Sequence, residues 1–259
     1  MIWISDIHLN FLPEGLRKEF YSGLKGETIL ITGDIAESHN VEKLLDEMYQ
    51  ATGSKIYFVA GNHDYYGSSI EEVKARLKKL KCAHYLPKSW GVKLDKHTAL
   101  VGQDGWGDCR NGDYENSQLT MADWLYIKEL NEGYRRDGDS LRRVLLGLAD
   151  KDAEKLCKSV LKALTDKNVR KIIIATHVPP FEEVCLYAGK KSTPDGLPFF
   201  SSYILGFSML PIIESHPEVD FLWLSGHTHS RASVQKRPNL TVKVAEAQYY
   251  FPQIEAIIE

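Results

Sequence analysis

Five short clusters of metal-ligating residue types run along the chain in order: Asp6-Ile7-His8, Gly33-Asp34, Gly61-Asn62-His63-Asp64, Thr176-His177 and Gly226-His227-Thr228-His229. Carboxylate, amide and imidazole groups together supply the mixed oxygen and nitrogen donors that Mn²⁺, Fe or Zn²⁺ accept. Asn62, taken alone, is an ordinary turn residue between Gly61 and His63. Followed by His63-Asp64, its neutral amide oxygen makes sense as a ligand that adds no charge to an already anionic site. His227 and His229 alternate along an extended segment, which would send their side chains to opposite sides. A loop or bulge must therefore turn at least one of them inward. Gly226 offers that backbone freedom, and Thr228 is most simply a spacer.

The elements that must position these groups are also visible. Apolar runs at Ile2–Ile4, Ile29–Thr32, Ile56–Ala60, Ile172–Ala175 and Phe221–Leu224 each end where a cluster begins. Short Ile/Val/Leu-rich runs of this kind suit strands covered on both faces. Parallel strands in open α/β sheets gather their carboxyl ends along one edge, so the five clusters are expected to converge. Apolar stripes predict helices at Val41–Ala51 (Val41, Leu44, Leu45, Met48), Ile70–Leu80 (Ile70, Val73, Leu77, Leu80) and Leu156–Leu164. Thr120–Glu132 and Ser140–Ala149 also read as helical, and Leu240–Ala245 and Gln253–Ile258 as two last strands. Strands alternating with helices give an α/β fold. No linker separates independent units, so residues 1–259 read as one domain. Two irregular stretches, about 102–151 and 179–201, interrupt it as candidate substrate-capping insertions.

The motif set resembles that of the calcineurin-like metallophosphoesterases. The resemblance covers nearly the whole chain, from Ser5 to Ser230, with the blocks in the family's order. A lone GD or DxH recurs by chance, whereas GNHD followed by GHxH is far more specific. The resemblance implies a four-layer α/β/β/α sandwich of two mixed sheets. It implies two metal ions, Mn²⁺, Fe or Zn²⁺, with Asp6, His8 and His229 on the first and Asn62, His177 and His227 on the second. Asp34 would bridge them, and a hydroxide held between the metals would attack phosphorus. His63 would then touch the substrate as hydrogen-bond donor and acid, with Asp64 orienting its imidazole. One departure is Glu37, three residues past Asp34, where the family often carries Asp, Asn or Arg; it reads as a residue that supports the ligands or shapes the loop, and no ligand.

Other residues are weighed against plainer roles. His39, His84, His97 and His216 lie outside the motifs and receive none. The Lys74–Lys81 run reads as the solvated face of an amphipathic helix. Arg110 and Arg231 are candidate phosphate contacts, because guanidinium matches phosphate geometry. Trp106, Asp108, Tyr114, Phe181, Tyr187, Phe199 and Phe200 either line a substrate cap or pack the insertions onto the core.

Composition narrows the partner. The formal net charge is -3, with 43% hydrophobic and 26% charged residues, as in ordinary globular proteins. No global basic field favours nucleic acid or an anionic membrane. Cys82, Cys109, Cys157 and Cys185 are scattered without a CxxC pair, which suggests reduced thiols. With no basic leader and no membrane-length apolar stretch visible, the expected address is the cytoplasm. The expected activity is hydrolysis of a phosphomonoester or phosphodiester of a small molecule, nucleotides included. A nuclease is the rival reading, disfavoured by the charge. A non-catalytic scaffold is the third, disfavoured because His63 and the ligand positions are all in place.

Overall fold

The computed structural model describes residues 1–259. Strands Ile2–Ile4 (β1), Ile29–Thr32 (β2), Ile56–Val59 (β3) and His84–Tyr85 (β4) are followed by Val92–Lys93 (β5), Thr98–Gly102 (β6) and Lys171–Ala175 (β7). Leu186–Tyr187 (β8) and Lys190–Lys191 (β9) form a separate hairpin. Asp220–Ser225 (β10), Ala232–Arg237 (β11), Leu240–Val244 (β12) and Ala256–Ile257 (β13) complete the set.

Two sheets result. One runs β13-β1-β2-β3-β4, with β1 to β4 parallel and β13 antiparallel. The other runs β11-β12-β10-β7-β6-β5, parallel at its centre and antiparallel at both edges. Between the sheets, Trp3, Leu30 and Val59 meet Leu100, Ile173 and Leu224 in a dry inner core. The outer face of the first sheet is covered by helices, with Val41, Leu44, Leu45, Met48, Ile70, Val73 and Leu77 packed on Ile4, Ile31 and Phe58. Leu156, Val160, Leu205, Met209 and Ile213 cover the second sheet at Ile172, Ile174 and Trp223. Each such buried aliphatic side chain contributes roughly 1.5–3 kcal/mol of transfer free energy. The layer order is therefore the expected α/β/β/α.

Several boundaries differ from the sequence expectation. The stripes at Ser140–Ala149 and Leu156–Leu164 belong to one helix, Gly138–Leu164. Its charged middle does not break it because Asp152 points inward, accepting from the Gly105 N–H at 3.0 Å and facing Lys74 at 3.6 Å. The last part of the 102–151 stretch is thus the start of a core helix, with Leu141, Leu145 and Ala149 buried in the apolar cluster of the first sheet's outer face and Ala153, Leu156 and Val160 in that of the second. Thr120–Glu132 is instead split into Asp123–Tyr126 and Lys128–Arg136, because buried Ile127 is extended and bridges Ser68. Gln253–Ile258 pairs only over Ala256–Ile257, and the Ile70 helix stops at Leu77. Lys74 turns from the solvated face and reaches Asp104 at 3.1 Å, its side chain only partly exposed. No helix is long and apolar enough to cross a membrane.

Candidate metal centre

The parallel registers bring the tips of β1, β2 and β3 side by side, and likewise those of β7 and β10. The chain must then fold sharply inward, and it does so on the chemically important residues themselves. Asp6, His8, Asp34, His227 and His229 all have φ between 39° and 73°. Asp and His tolerate this left-handed region better than most side chains, and such strain clusters at functional sites. The inward turn expected at the GHxH block is therefore made by both histidines, and Gly226 does not adopt positive φ. Gly226 serves close approach instead. A Cβ there would lie 2.1 Å from Ser5 Oγ and 2.2 Å from Asp6 Oδ2. Gly226→Ala is expected to displace Asp6 and lower kcat/KM about 10²-fold, since an ångström of misplacement can cost that much. A variant of wild-type kcat/KM would show that the contact is not strict.

Two donor groups face each other across Asp34. On one side Asp6, His8, Asp34 and His229 place one ligand atom each within 4.8 Å of one another. Asp6 Oδ1 lies 3.3 Å from His229 Nε2, and His8 Nε2 lies 3.7 Å from Asp34 Oδ2. On the other side Asn62 Oδ1 lies 3.0 Å from both His177 Nε2 and His227 Nδ1, which are 3.2 Å apart. Asp34 Oδ1 approaches His177 Nε2 to 3.4 Å. The two oxygens of one carboxylate thus address the two groups separately.

The surrounding bonds set which atoms face inward. His177 Nδ1 donates to the Thr32 carbonyl at 2.8 Å, which leaves Nε2 its lone pair. His227 presents Nε2 to the Phe199 carbonyl at 3.3 Å and so turns Nδ1 inward. Asp6 accepts from Ser5 Oγ at 2.6 Å and from the His227 N–H. His8 is buried, yet neither of its nitrogens has a hydrogen-bond partner. A buried orphan of this kind calls for an ion or another explanation.

Electrostatics point the same way. Burial, with His63 nearby, pushes the His8 imidazole down to about 3. Burial beside His177 lowers His227 to about 3, so both rings are neutral and able to ligate. Burial raises Asp6, but the His229 hydrogen bond and the neighbouring imidazoles outweigh it and hold the group below the usual carboxylate range. Burial together with Asp6 drives Asp34 well above that range. Burial and mutual repulsion disfavour ionising both carboxylates, and added positive charge would offset this. The donor types, the orphaned His8 and this charge deficit all fit two cations.

The sequence model of the calcineurin-like phosphoesterases matches residues 1–231. The chain belongs to that family. It is a metal-dependent phosphoester hydrolase, and family membership implies a binuclear centre, with which the Asp6, His8, Asp34 and His229 group is compatible. No curated protein sequence matches it significantly. Among solved structures it is similar to a phosphopantetheinyl hydrolase from Mycobacterium tuberculosis (12% identity, TM-score 0.61, covering 96% of this chain and 89% of that one). It is also similar to a dimetal phosphatase from Danio rerio (16% identity, TM-score 0.57, covering 95% and 86%). At these identities the likeness concerns the fold.

Within this calcineurin-like centre, several expected roles are corrected. Asp64 does not orient His63. Its Oδ1 accepts from the Ile35 and Ala36 N–H groups, both at 2.9 Å, and its Oδ2 from Gly61 N at 2.8 Å. Burial and nearby Asp34 push it up to about 8. Asp64 therefore staples the turn carrying Asn62 to the loop carrying Asp34. His63 stacks on Tyr66, ring centroids 4.3 Å apart, with Nε2 3.9 Å from Asp34 Oδ2 and Nδ1 unpartnered.

Arg110 is taken up by Asp108 and Asp150, at 3.2 and 2.7 Å, and Arg231 by Glu255 and Glu246. Neither lines the cleft above the metals. Phe181 is core, Trp106 is buried, and Asp108 is buried as an acceptor for the Ile204 N–H. Tyr187 and Phe200 do line the cleft, while Phe199 is buried and meets the site through its carbonyl on His227 Nε2.

Three residues were missed. Tyr249 packs its ring 4.5 Å from that of His8, and the run Tyr249-Tyr250-Phe251 was a usable aromatic cue. Asp104 occupies the tip of β6, the same position in its strand that the ligand blocks occupy in theirs. Its carboxylate accepts from Ala60 N, Tyr65 Oη and Tyr85 Oη, and its carbonyl from His177 N. Asp123 lay inside an apparently ordinary helix and had no sequence signal.

Proposed function

We propose that the chain hydrolyses a phosphomonoester or phosphodiester of a small molecule, with nucleotides the favoured class. Asp6, His8 and His229 would hold one metal and Asn62, His177 and His227 the other, with Asp34 shared between the two groups and Mn²⁺, Fe or Zn²⁺ as the occupants. When bound, such a metal pair polarises the phosphoryl oxygens, lowers the pKa of coordinated water and offsets developing charge. The protein groups do the rest. Asp34 spans the two ligand groups and fixes their separation. His177 and His227 are locked in their ligating tautomers by the Thr32 and Phe199 carbonyls. His63, free of a protein partner, directs an N–H toward a substrate oxygen.

The observation that carries the substrate class is the cleft itself. A cavity of about 310 Å³ opens on Asp34, Asn62, His63, His227 and His229, walled by Tyr66, Tyr187, Phe200 and Tyr249. That size suits a small ligand, and aromatic walls suit a flat group such as a base. No lysine or arginine is among its lining residues. Binding to a nucleic-acid backbone draws on such cations, which counts against the nuclease reading. The four scattered cysteines, without a CxxC pair, favour a reducing cytoplasm as the protein's place.

The test is a panel of phosphomonoesters, cyclic nucleotides, dinucleotides and DNA, assayed after loading each metal in turn. Turnover of a small substrate under Mn²⁺, Fe or Zn²⁺ is expected. Turnover confined to DNA would reverse the substrate class, and a chain that loads two metals but cleaves nothing would favour a scaffold.

A further inference from the structure

Asn62 is a weak ligand by type, since a neutral amide has no charge to hold its oxygen on a cation. Its Oδ1 nonetheless sits 3.0 Å from two imidazole nitrogens, so something must hold the amide plane. The geometry points to Asp123 as the residue that positions Asn62 for the second metal. Asn62 Nδ2 donates to Asp123 Oδ1 at 2.8 Å and to Tyr66 Oη at 3.3 Å, and Tyr66 Oη donates to the same Asp123 oxygen at 2.6 Å. Only one amide orientation satisfies this triangle, the one that turns Oδ1 toward His177 and His227. The flipped amide would set oxygen against carboxylate.

Asp123 is itself held from behind. Gly67 N donates to the Tyr126 carbonyl at 2.8 Å and Lys128 N to the Ser68 carbonyl at 3.0 Å, stitching the Asp123–Tyr126 turn to the turn that carries His63 and Tyr66. Asp123 thereby ties the 102–151 insertion to Asn62 through a carboxylate. Tyr66 links the same device to His63, on which it stacks. Asp123 makes no hydrogen bond or ion pair with Asp6, His8 or His229, so what its removal takes from the amide falls on the second site.

This inference rests on the proposed assignment of Asn62 to the second metal. The experiment is calorimetric Mn²⁺ titration of the metal-stripped full chain, with metal content by mass spectrometry and the spin-coupled Mn signal by electron paramagnetic resonance. Wild type is expected to bind two ions. Asp123→Ala should leave the first site intact and weaken the second about 10–100-fold, the range seen when such supporting partners are removed, with loss of the coupled signal at limiting metal. Asp123→Asn keeps an acceptor oxygen and should stay near wild type, while Tyr66→Phe should weaken the second site in the same direction. Two unaltered sites in both Asp123→Ala and Tyr66→Phe would overturn the inference. Equal weakening by Asp123→Ala and Asp123→Asn would also overturn it, since charge and not hydrogen bonding would then be responsible. A wild type binding fewer than two ions would instead remove the two-metal reading and this inference with it.

Discussion

Asp34→Asn is expected to lower kcat/KM by about 10³-fold or more while leaving the metal-free protein folded. Several kcal/mol of charge stabilisation come from a metal pair in such sites, and each 1.36 kcal/mol is tenfold in rate, so about 4 kcal/mol corresponds to that loss. Asp34 is the only residue whose two oxygens face both donor groups, Oδ1 toward His177 at 3.4 Å and Oδ2 toward His8 at 3.7 Å. An amide keeps the oxygen that accepts from the His63 N–H at 2.9 Å but removes the charge. In the metal-free protein that charge is a burden, because burial and Asp6 push the carboxyl well above its ordinary range. The thermal midpoint of stripped Asp34→Asn should therefore equal or exceed that of stripped wild type. The rise in midpoint on adding metal, which reflects binding to the native state alone, should shrink sharply. A stripped variant that melts lower than wild type would mean that Asp34 has a structural role beyond the metals.

How much of this was readable beforehand follows from where each interaction lives. The ligand blocks were legible because each is local, a strand followed directly by its tip, and parallel topology converts chain order into convergence. The stripe Val41, Leu44, Leu45, Met48 was legible for the same reason, and all four side chains are buried. Pairings across the sequence were not. Lys74 lies in a basic run but ends against Asp104 and Asp152, one from a strand tip and the other from the middle of a long helix. Arg231 has the chemistry of a phosphate contact, yet Glu255 neutralises it across 24 residues. Adjacency misled at Asp64, because the tight turn at His63–Tyr65 sends neighbouring side chains in opposite directions. Asp123 shows the same limit most sharply, since its partners Asn62 and Tyr66 are 61 and 57 residues away.

His63→Ala is expected to lower kcat about 10²–10³-fold, the loss typical of removing one preorganised donor to developing charge, with metal content unchanged. The ring stands beside the metals without joining either donor group. Burial and His177 push its imidazole down to about 4, and two cations nearby would lower it further. The ring is therefore neutral at ordinary pH, with a single N–H to offer. A neutral imidazole serves better as hydrogen-bond donor to a phosphoryl oxygen than as a source of a full proton for the leaving group. The two roles separate experimentally. Loss of a donor to phosphoryl oxygen slows aryl and alkyl phosphates by a similar factor. Loss of a leaving-group acid slows alkyl phosphates far more, because their alkoxide is the poorer leaving group. Similar factors are expected for His63→Ala, and a steep dependence on leaving group would restore the acid role despite the lowered pKa. A variant that loses its metals would instead place His63 among the ligands.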